Sequence, residues 1–495
     1  MKYLFAILAA LLLMASAVIY ASYPDLRSEV PVIYWVTDRN PAREQQVATF
    51  HRWLVEQGHV TENGDPMVEL RLDTGNNDQS KKIIQGVSGV AGDIMDTGSM
   101  DLSYLSQIGI LQDVTEVGEE MGFSRGETYE AAASEISVGD RQYGFPCNVT
   151  ATLLWVNKST FEKYDQPIPP QRWTLDEFEE RGKAFVAAAN EPGERQMVFF
   201  AADLPLNVMF RSLGLSTFNE TMTRCTLDDP RFAEALARKQ QWIEEDRILP
   251  STQEREGFDT AGGYGGATLQ LFNRGNYGMF PMGRYALIQL RRFGDLDMAV
   301  VEPPHGGFPN TTTSARAATV YVGGAHPELA YLFMAYLASK PYNDLVVADA
   351  DALPPNPAYT QTEAFKRPAD HPNEWGLHEP FSDAMEEIAI GGAYSPFVLP
   401  SVVWRELDDM EEAVMNRRLT AEEGGQALAA TINSRIERNV HQDPALRERY
   451  EQLLQQQAQI DALRAAGEPV PVELIENPFY RKYYEHQGWL AETTE

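Results

Sequence analysis

The sequence predicts an α/β protein built on parallel sheet covered by helices, and three observations carry that expectation. Its 495 residues leave room for two or more hydrophobic cores, at roughly 100 to 200 residues per domain. Hydrophobic residues at 43% and aromatics at 10% are ordinary for a folded protein, so neither a disordered chain nor a stapled mini-domain fits. Short apolar runs alternate with helical patterns, the order expected of strands joined by crossover helices.

The first element is apolar. Met1 and Lys2 precede Tyr3 to Tyr23, a run without any charge. About 20 apolar residues at ~1.5 Å each match the ~30 Å of a bilayer core. An uncleaved anchor and a cleaved signal peptide both remain open, with small-x-small sites at Ala15 and Ala17 and, more weakly, at Ile19 to Ala21. Either way Lys2 is expected to stay in the cytoplasm and residues beyond 24 to be exported to the periplasm or cell surface. No cysteine follows the run, which excludes lipoprotein anchoring, and no other segment is apolar enough to span a membrane, which excludes a permease.

Pro31 to Val36 then reads as a buried strand, ending in Thr37, Asp38 and Arg39. Asn40 and Pro41 are a helix start, and Val47, Phe50 and Leu54 form the buried stripe of the helix that follows. Strands at Met67 to Leu72 and Asp93 to Met95 continue the alternation, the latter ending in Asp96 and Thr97. Leu153 to Asn157 and Met197 to Ala201 are further strands, separated by a helix that Thr174 and Glu177 open with a capping box. After the glycine loop at residues 261 to 266, strand character returns at Met298 to Val301 and Thr319 to Val322. The helix from Pro327 to Ser339 ends at Pro341. Residues 441 to 495 differ: Leu446, Tyr450, Leu453, Leu454, Ile460 and Leu463 fit one helical stripe that Gly467 and Pro469 end, before an aromatic tail. Trp35 and Trp155 sit inside strands and are expected in the core. The tail is either a strap packed on the body or a docking element.

Charge and motif content narrow the chemistry. A net charge of −31 repels nucleic acid and disfavours anionic ligands unless a local basic pocket overrides the field. Cys147 and Cys225 lack metal-binding spacing, and the eight histidines are scattered. One disulfide and two separate packed thiols both remain open. No phosphate-binding loop, nucleophile elbow or H-E-x-x-H motif occurs, so neither a cofactor, a metal nor an enzymatic activity is expected. What is present suits neutral sugars: aromatics that can stack on a pyranose face, and Asp, Asn and Arg on loops that can bond hydroxyls. In open α/β sheets the ligand crevice lies beyond the carboxyl ends of the strands, where Asp38, Arg39, Asp96 and Thr97 fall.

Four stretches then carry a resemblance. YGFPCNVTATLLWVNKSTFEKY with IPPQRWTLDEF, between Tyr143 and Phe178, is similar to the Y-G-x-P hinge passage, the "YNKxxF" turn and the "P-x-TWxEF" helix start of the family 1 extracellular solute-binding proteins. That family comprises the carbohydrate receptors of ABC importers, typified by the maltose-binding protein. AGDIMDTGSMDLSYLSQIGILQDVTE, FNRGNYGMFPMGRYAL and AHPELAYLFMAYLASKP resemble further family segments in the same order.

The resemblance implies a two-lobed α/β fold of the periplasmic-binding type with a hinge and a central cleft. It places lobe 1 at residues 25–146 and 303–350, lobe 2 at 147–302 and 351–440, and leaves 1–24 and 441–495 outside the lobes. It also implies ligand-binding roles. Asp38 and Arg39 form a polar pair like that of the sugar binders, Asp96 and Thr97 end the third strand, and Asn148 follows the hinge proline. Tyr285 stands where the family usually has a stacking Trp, Arg284 beside it can fork onto two hydroxyls, and Trp404 and Tyr264 are further cleft aromatics. The implied function is capture of a neutral mono- or oligosaccharide by a monomer and its delivery to the transmembrane subunits of an ABC permease, with membrane contact through residues 3–23. A membrane-tethered sugar sensor and an exported carbohydrate-active enzyme are the alternatives.

Overall fold

The apolar run after Pro31 forms the strand β1, Val32–Val36, whose Trp35 and Ile33 are fully buried. The computed structural model describes residues 7, 10–18, 29–257 and 266–491. The charge-free N-terminal run therefore lies mostly outside the described residues; residues 10–18 are helical and exposed. Among the described residues no helix is long and apolar enough to cross a membrane.

The chain packs as two units, one of Met1–Asp96 with Val320–Tyr336 and one of Thr97–Thr319 with Leu337–Glu495. In the first, β1 lies between two parallel neighbours, β2 (Glu69–Asp73) and β3 (Ile94–Thr97), with Trp35 in register with Leu72 and Ile94. The connecting helices are α1 (Ala42–Glu56) and α2 (Gln79–Ser88). Asn40 opens α1 as expected, its Oδ1 accepting from the Ala42 N–H at 3.0 Å. Asp78 caps α2, and Gly89 ends it at φ 78°, a left-handed conformation that favours glycine. Phe50 of α1 packs edge-on against Phe333, 5.4 Å between centroids, and Phe333 lies 4.8 Å from Trp35. Those rings make the core of this unit.

The second unit departs from the parallel expectation. β4 (Gly144–Ala151) and β5 (Leu153–Asn157) follow one another through Thr152. β5 belongs to a four-stranded sheet with β6 (Phe199–Ala201), β7 (Tyr277–Met282) and β8 (Met298–Val301), in the order β8-β5-β7-β6. Only the β6–β7 pair is parallel, because β7 and β8 both run against β5. β9 (Thr311–Val320) pairs antiparallel with β4 and parallel with β10 (Ala389–Ile390). Pro146 stands within β4 opposite Ala317. In sequence the two units divide after Asp96, Thr319 and Tyr336.

Helix α3 (Leu175–Ala189) carries the expected capping box between Thr174 and Glu177. Its Phe178 joins Trp173, Phe200 and Trp242 in an aromatic core with centroid spacings of 4.8 to 6.1 Å. Helices α4 (Leu206–Ser212), α5 (Pro230–Glu244), α6 (Pro400–Met415) and α7 (Ala421–Gln442) complete that side. Gly278 in β7 is required by close approach: a Cβ there would stand 2.9 Å from Phe185 and 3.0 Å from the Phe200 carbonyl.

The C-terminal stripe forms α8 (Pro444–Ala466), which Gly467 ends at φ 70°. Of its predicted apolar positions Leu453 and Ile460 are buried, while Leu454 is exposed. The aromatic tail is a strap on the second unit. Its helix α9 (Pro478–Gln487) is anchored by Asn477, whose Nδ2 donates to Ser216 Oγ at 3.0 Å and to the Phe218 carbonyl at 2.8 Å. Phe479 and Tyr484 are fully buried there. Cys147 and Cys225 are separate buried thiols, which removes the disulfide alternative.

Candidate functional site

Trp404 begins the site. Pro400 sets the first turn of α6, and the face carrying Val403, Leu407 and Met410 packs inward. Trp404 falls off that face, is 41% exposed and lines a cavity of about 1090 Å³ within the second unit. That volume lies just above the usual range of small-ligand sites, roughly 300 to 1,000 Å³. Its walls come from α4, the end of α5, β9 at Thr312 to Ser314, and α6.

Ion pairs organise one side of the cavity. Lys239 of α5 places Nζ 3.1 Å from Asp203 Oδ1 and 3.0 Å from Glu411 Oε1. Burial pushes the Asp203 carboxyl up, but Lys239 and Arg255 outweigh it and hold the group below its ordinary range. Burial likewise pushes Lys239 down, and its two acid partners more than compensate. Asp203 lies two residues past Ala201, the last residue of β6, at the carboxyl end of a strand. Applying the strand-end rule to β6 as well as to the first and third strands finds it. Tyr394 and Arg211 also line the cavity, and no motif marks them in the sequence.

The other predicted site residues lie elsewhere. Asp38 is held by Arg43, with Oδ1 2.7 Å from Nε and Oδ2 3.2 Å from Nη2, and Arg39 is exposed. Asp96 is buried: Oδ1 accepts from the Trp35 indole at 2.6 Å and Oδ2 from the Thr37 hydroxyl at 2.5 Å. Its carboxylate orders the first unit's core, where the sequence expects a ligand contact. Thr97 is also buried, its hydroxyl donating to the Ala317 carbonyl at 3.4 Å. Asn148 is buried in β4 opposite Arg316. Tyr285 is half-buried and does not line the cavity. Tyr264 falls outside the described residues.

Arg284 requires a correction. It is 1% exposed and its guanidinium is enclosed by carbonyls: Nη1 donates to Ala352 O at 2.9 Å and Nη2 to Val347 O at 2.9 Å, while Nε donates to His378 Nδ1 at 2.9 Å. Burial pulls its pKa down to about 9. These partners leave no fork for hydroxyls, so Arg284 clamps the chain around residues 346–352. Among the described residues no cluster of His, Cys, Asp or Glu could hold a metal ion.

This α/β architecture is matched among known families and structures. Residues 55–344, more than half of the chain, match the bacterial extracellular solute-binding protein family. The chain belongs to that family, and its fold is the two-lobed α/β fold of substrate-binding proteins. Among solved structures it resembles an ABC substrate-binding protein from Listeria monocytogenes in complex with cycloalternan, at 17% identity and TM-score 0.67, covering 82% of this chain and 99% of that one. The GacH receptor of Streptomyces glaucescens, described in complex with acarbose, gives 13% identity and TM-score 0.64 over 83% of this chain and 99% of that one. UgpB from Mycobacterium tuberculosis in complex with glycerophosphocholine gives 13% and 0.66 over 83% and 100%. No curated protein matches by sequence. The protein is therefore a solute-binding protein, of a family that binds substrates rather than converting them.

Proposed function

We propose that this protein is the exported receptor of an ABC-type importer, that it holds a mono- or oligosaccharide in the cavity of its second unit, and that it passes the sugar to the permease's transmembrane subunits. The observation that carries this reading is Trp404, an accessible indole on the wall of a cavity of about 1090 Å³. A pyranose ring offers such an indole an apolar face, while hydroxyls bond to charged and amide groups around it. Asp203, Lys239 and Glu411, already paired with one another, supply fixed polar anchors that bind without reorganising. The family membership and the sugar complexes named for similar structures support the same ligand class.

The test is a thermal-shift screen of the purified chain against mono- and oligosaccharides, because a ligand that binds only the folded state raises its melting temperature. A bound sugar recovered unchanged after prolonged incubation supports a receptor. Melting indifferent to every sugar, or appearance of cleavage products, rejects the reading.

A further inference from the structure

Among its described residues the second unit buries two arginines, and they are treated differently. Arg284 is surrounded by acceptors, as described above. Arg211, on α4, is 6% exposed, and its only hydrogen bond among the described residues is a long one, from Nη2 to the Gly391 carbonyl at 3.4 Å. It forms no ion pair among the described residues, and it lines the cavity. Burying a guanidinium without partners is costly, and a fork that packing alone required would be met by carbonyls, as Arg284 is. The Arg211 donors that Gly391 does not occupy have no hydrogen-bond partner among the described residues, and the side chain lines the cavity, so a ligand held there can meet them.

We infer that the saccharide held in this cavity carries a carboxylate, as a uronic acid does, and that Arg211 grips that carboxylate through a charge-assisted, bidentate pair. This rests on the receptor reading above and replaces the uncharged sugar that the net charge suggested. A carboxylate accepts two of the open N–H donors in parallel, where a neutral hydroxyl meets one at a time.

The surroundings set the size of the charge. Lys239 is already matched by Asp203 and Glu411, and Asp408 adds another acid to the cavity wall. Asp203, Glu244, Asp408, Glu411 and Glu412 stand on the wall against Arg211, Lys239 and Arg255, and this excess of acid disfavours a phosphate monoester with nearly two charges more than it does a monoanion. The buried Glu135 carboxylate offsets part of the Arg211 charge from within the protein but accepts no hydrogen bond from it, taking the Gly392 N–H at 3.1 Å instead. Burial lowers the Arg211 pKa to about 10, so the group remains charged at neutral pH. The global charge of −31 acts at long range and is screened beyond about 8 Å at physiological salt, where a contact pair inside a cavity is not.

Calorimetry on the full chain tests this with D-galacturonate, D-glucuronate and digalacturonate, each beside its neutral counterpart, and with glucose 6-phosphate. At least one uronide is expected to bind tenfold or more tighter than its neutral counterpart and tighter than the sugar phosphate. Arg211→Met is expected to erase that preference, and Arg211→Lys to retain part of it; the wild-type comparison stands whether or not either variant folds. Neutral sugars binding as tightly as uronides, the phosphate binding tightest, or a preference that survives Arg211→Met in a folded variant would overturn the inference while leaving the receptor intact. Failure of every sugar, charged or neutral, rejects the receptor reading as well.

Discussion

A side chain's surroundings, more than its type, decide what it does in this protein. Trp404 is accessible on a cavity wall, so its loss removes contact area from a ligand without opening a core. For whichever saccharide raises the melting temperature, Trp404→Ala is expected to weaken binding tenfold or more, about 1.4 kcal/mol, while the melting temperature of the free protein stays near that of wild type; calorimetry and thermal melts read the two separately. His378 illustrates the opposite situation. Fully buried between Arg284 and Glu374, it has Nε2 3.3 Å from Glu374 Oε2. Burial, with Arg284 and Arg291 adding to it, pulls its pKa down to about 4. Burial pushes the Glu374 carboxyl up, but the Arg291 fork at 2.8 and 2.9 Å and His378 outweigh it and hold the group at about 2. Both folded values lie below the ordinary 6.5 and 4.5. As pH falls the unfolded chain therefore binds each proton first, and stability is lost. His378 contributes its loss between pH 6.5 and about 4, and Glu374 between 4.5 and about 2. The His378 share is on the order of 3 kcal/mol. The melting temperature of His378→Gln is expected to fall less than that of wild type between pH 6.5 and 4, measured by thermal melts across that range.

At the scale of elements, the legible features were those with local causes. The Thr174–Glu177 box, the Asn40 start of α1 and the Gly467 stop of α8 all depend on residues within a few positions of one another. The strand direction in the second unit depends on pairing between β5 and segments more than 100 residues away, and periodicity carries no information on that. The capping box is directly testable. Thr174 Oγ1 accepts from the Glu177 N–H at 3.2 Å and the Glu177 carboxylate reaches back to the Thr174 N–H at 2.7 Å. Thr174→Ala is expected to destabilise the second unit by about 1 kcal/mol, read by urea denaturation. The C-terminal strap is a long-range case: its aromatics invite a docking role in the sequence, and Ser216, Phe218 and Phe308 supply the surface that absorbs them.

For the whole molecule, the excess of acid is a field that no single contact removes. A net charge of −31 repels itself in the compact state, and salt screens it. The melting temperature is expected to rise from low salt to roughly 0.5 M sodium chloride, where the Debye length falls below about 5 Å; a melting temperature that falls across that series contradicts this. The same charge led the sequence reading to a neutral ligand, and it is the local geometry of Arg211 that points to an acidic one.

The sequence by itself determined the α/β class, the family, the core tryptophans Trp35 and Trp155, and the local starts and stops of helices, because each follows from periodicity, capping chemistry or ordered motifs along the chain. Of the eight proposed ligand contacts among the described residues, only Trp404 lines the cavity. Asp96 was claimed by Trp35 and Thr37 some 60 residues upstream, and Arg284 by carbonyls of 346–352 and by His378. Tertiary structure alone decided those outcomes. A polar side chain is available to a ligand only when no nearer donor or acceptor satisfies it, and in a packed interior those partners come from distant parts of the chain.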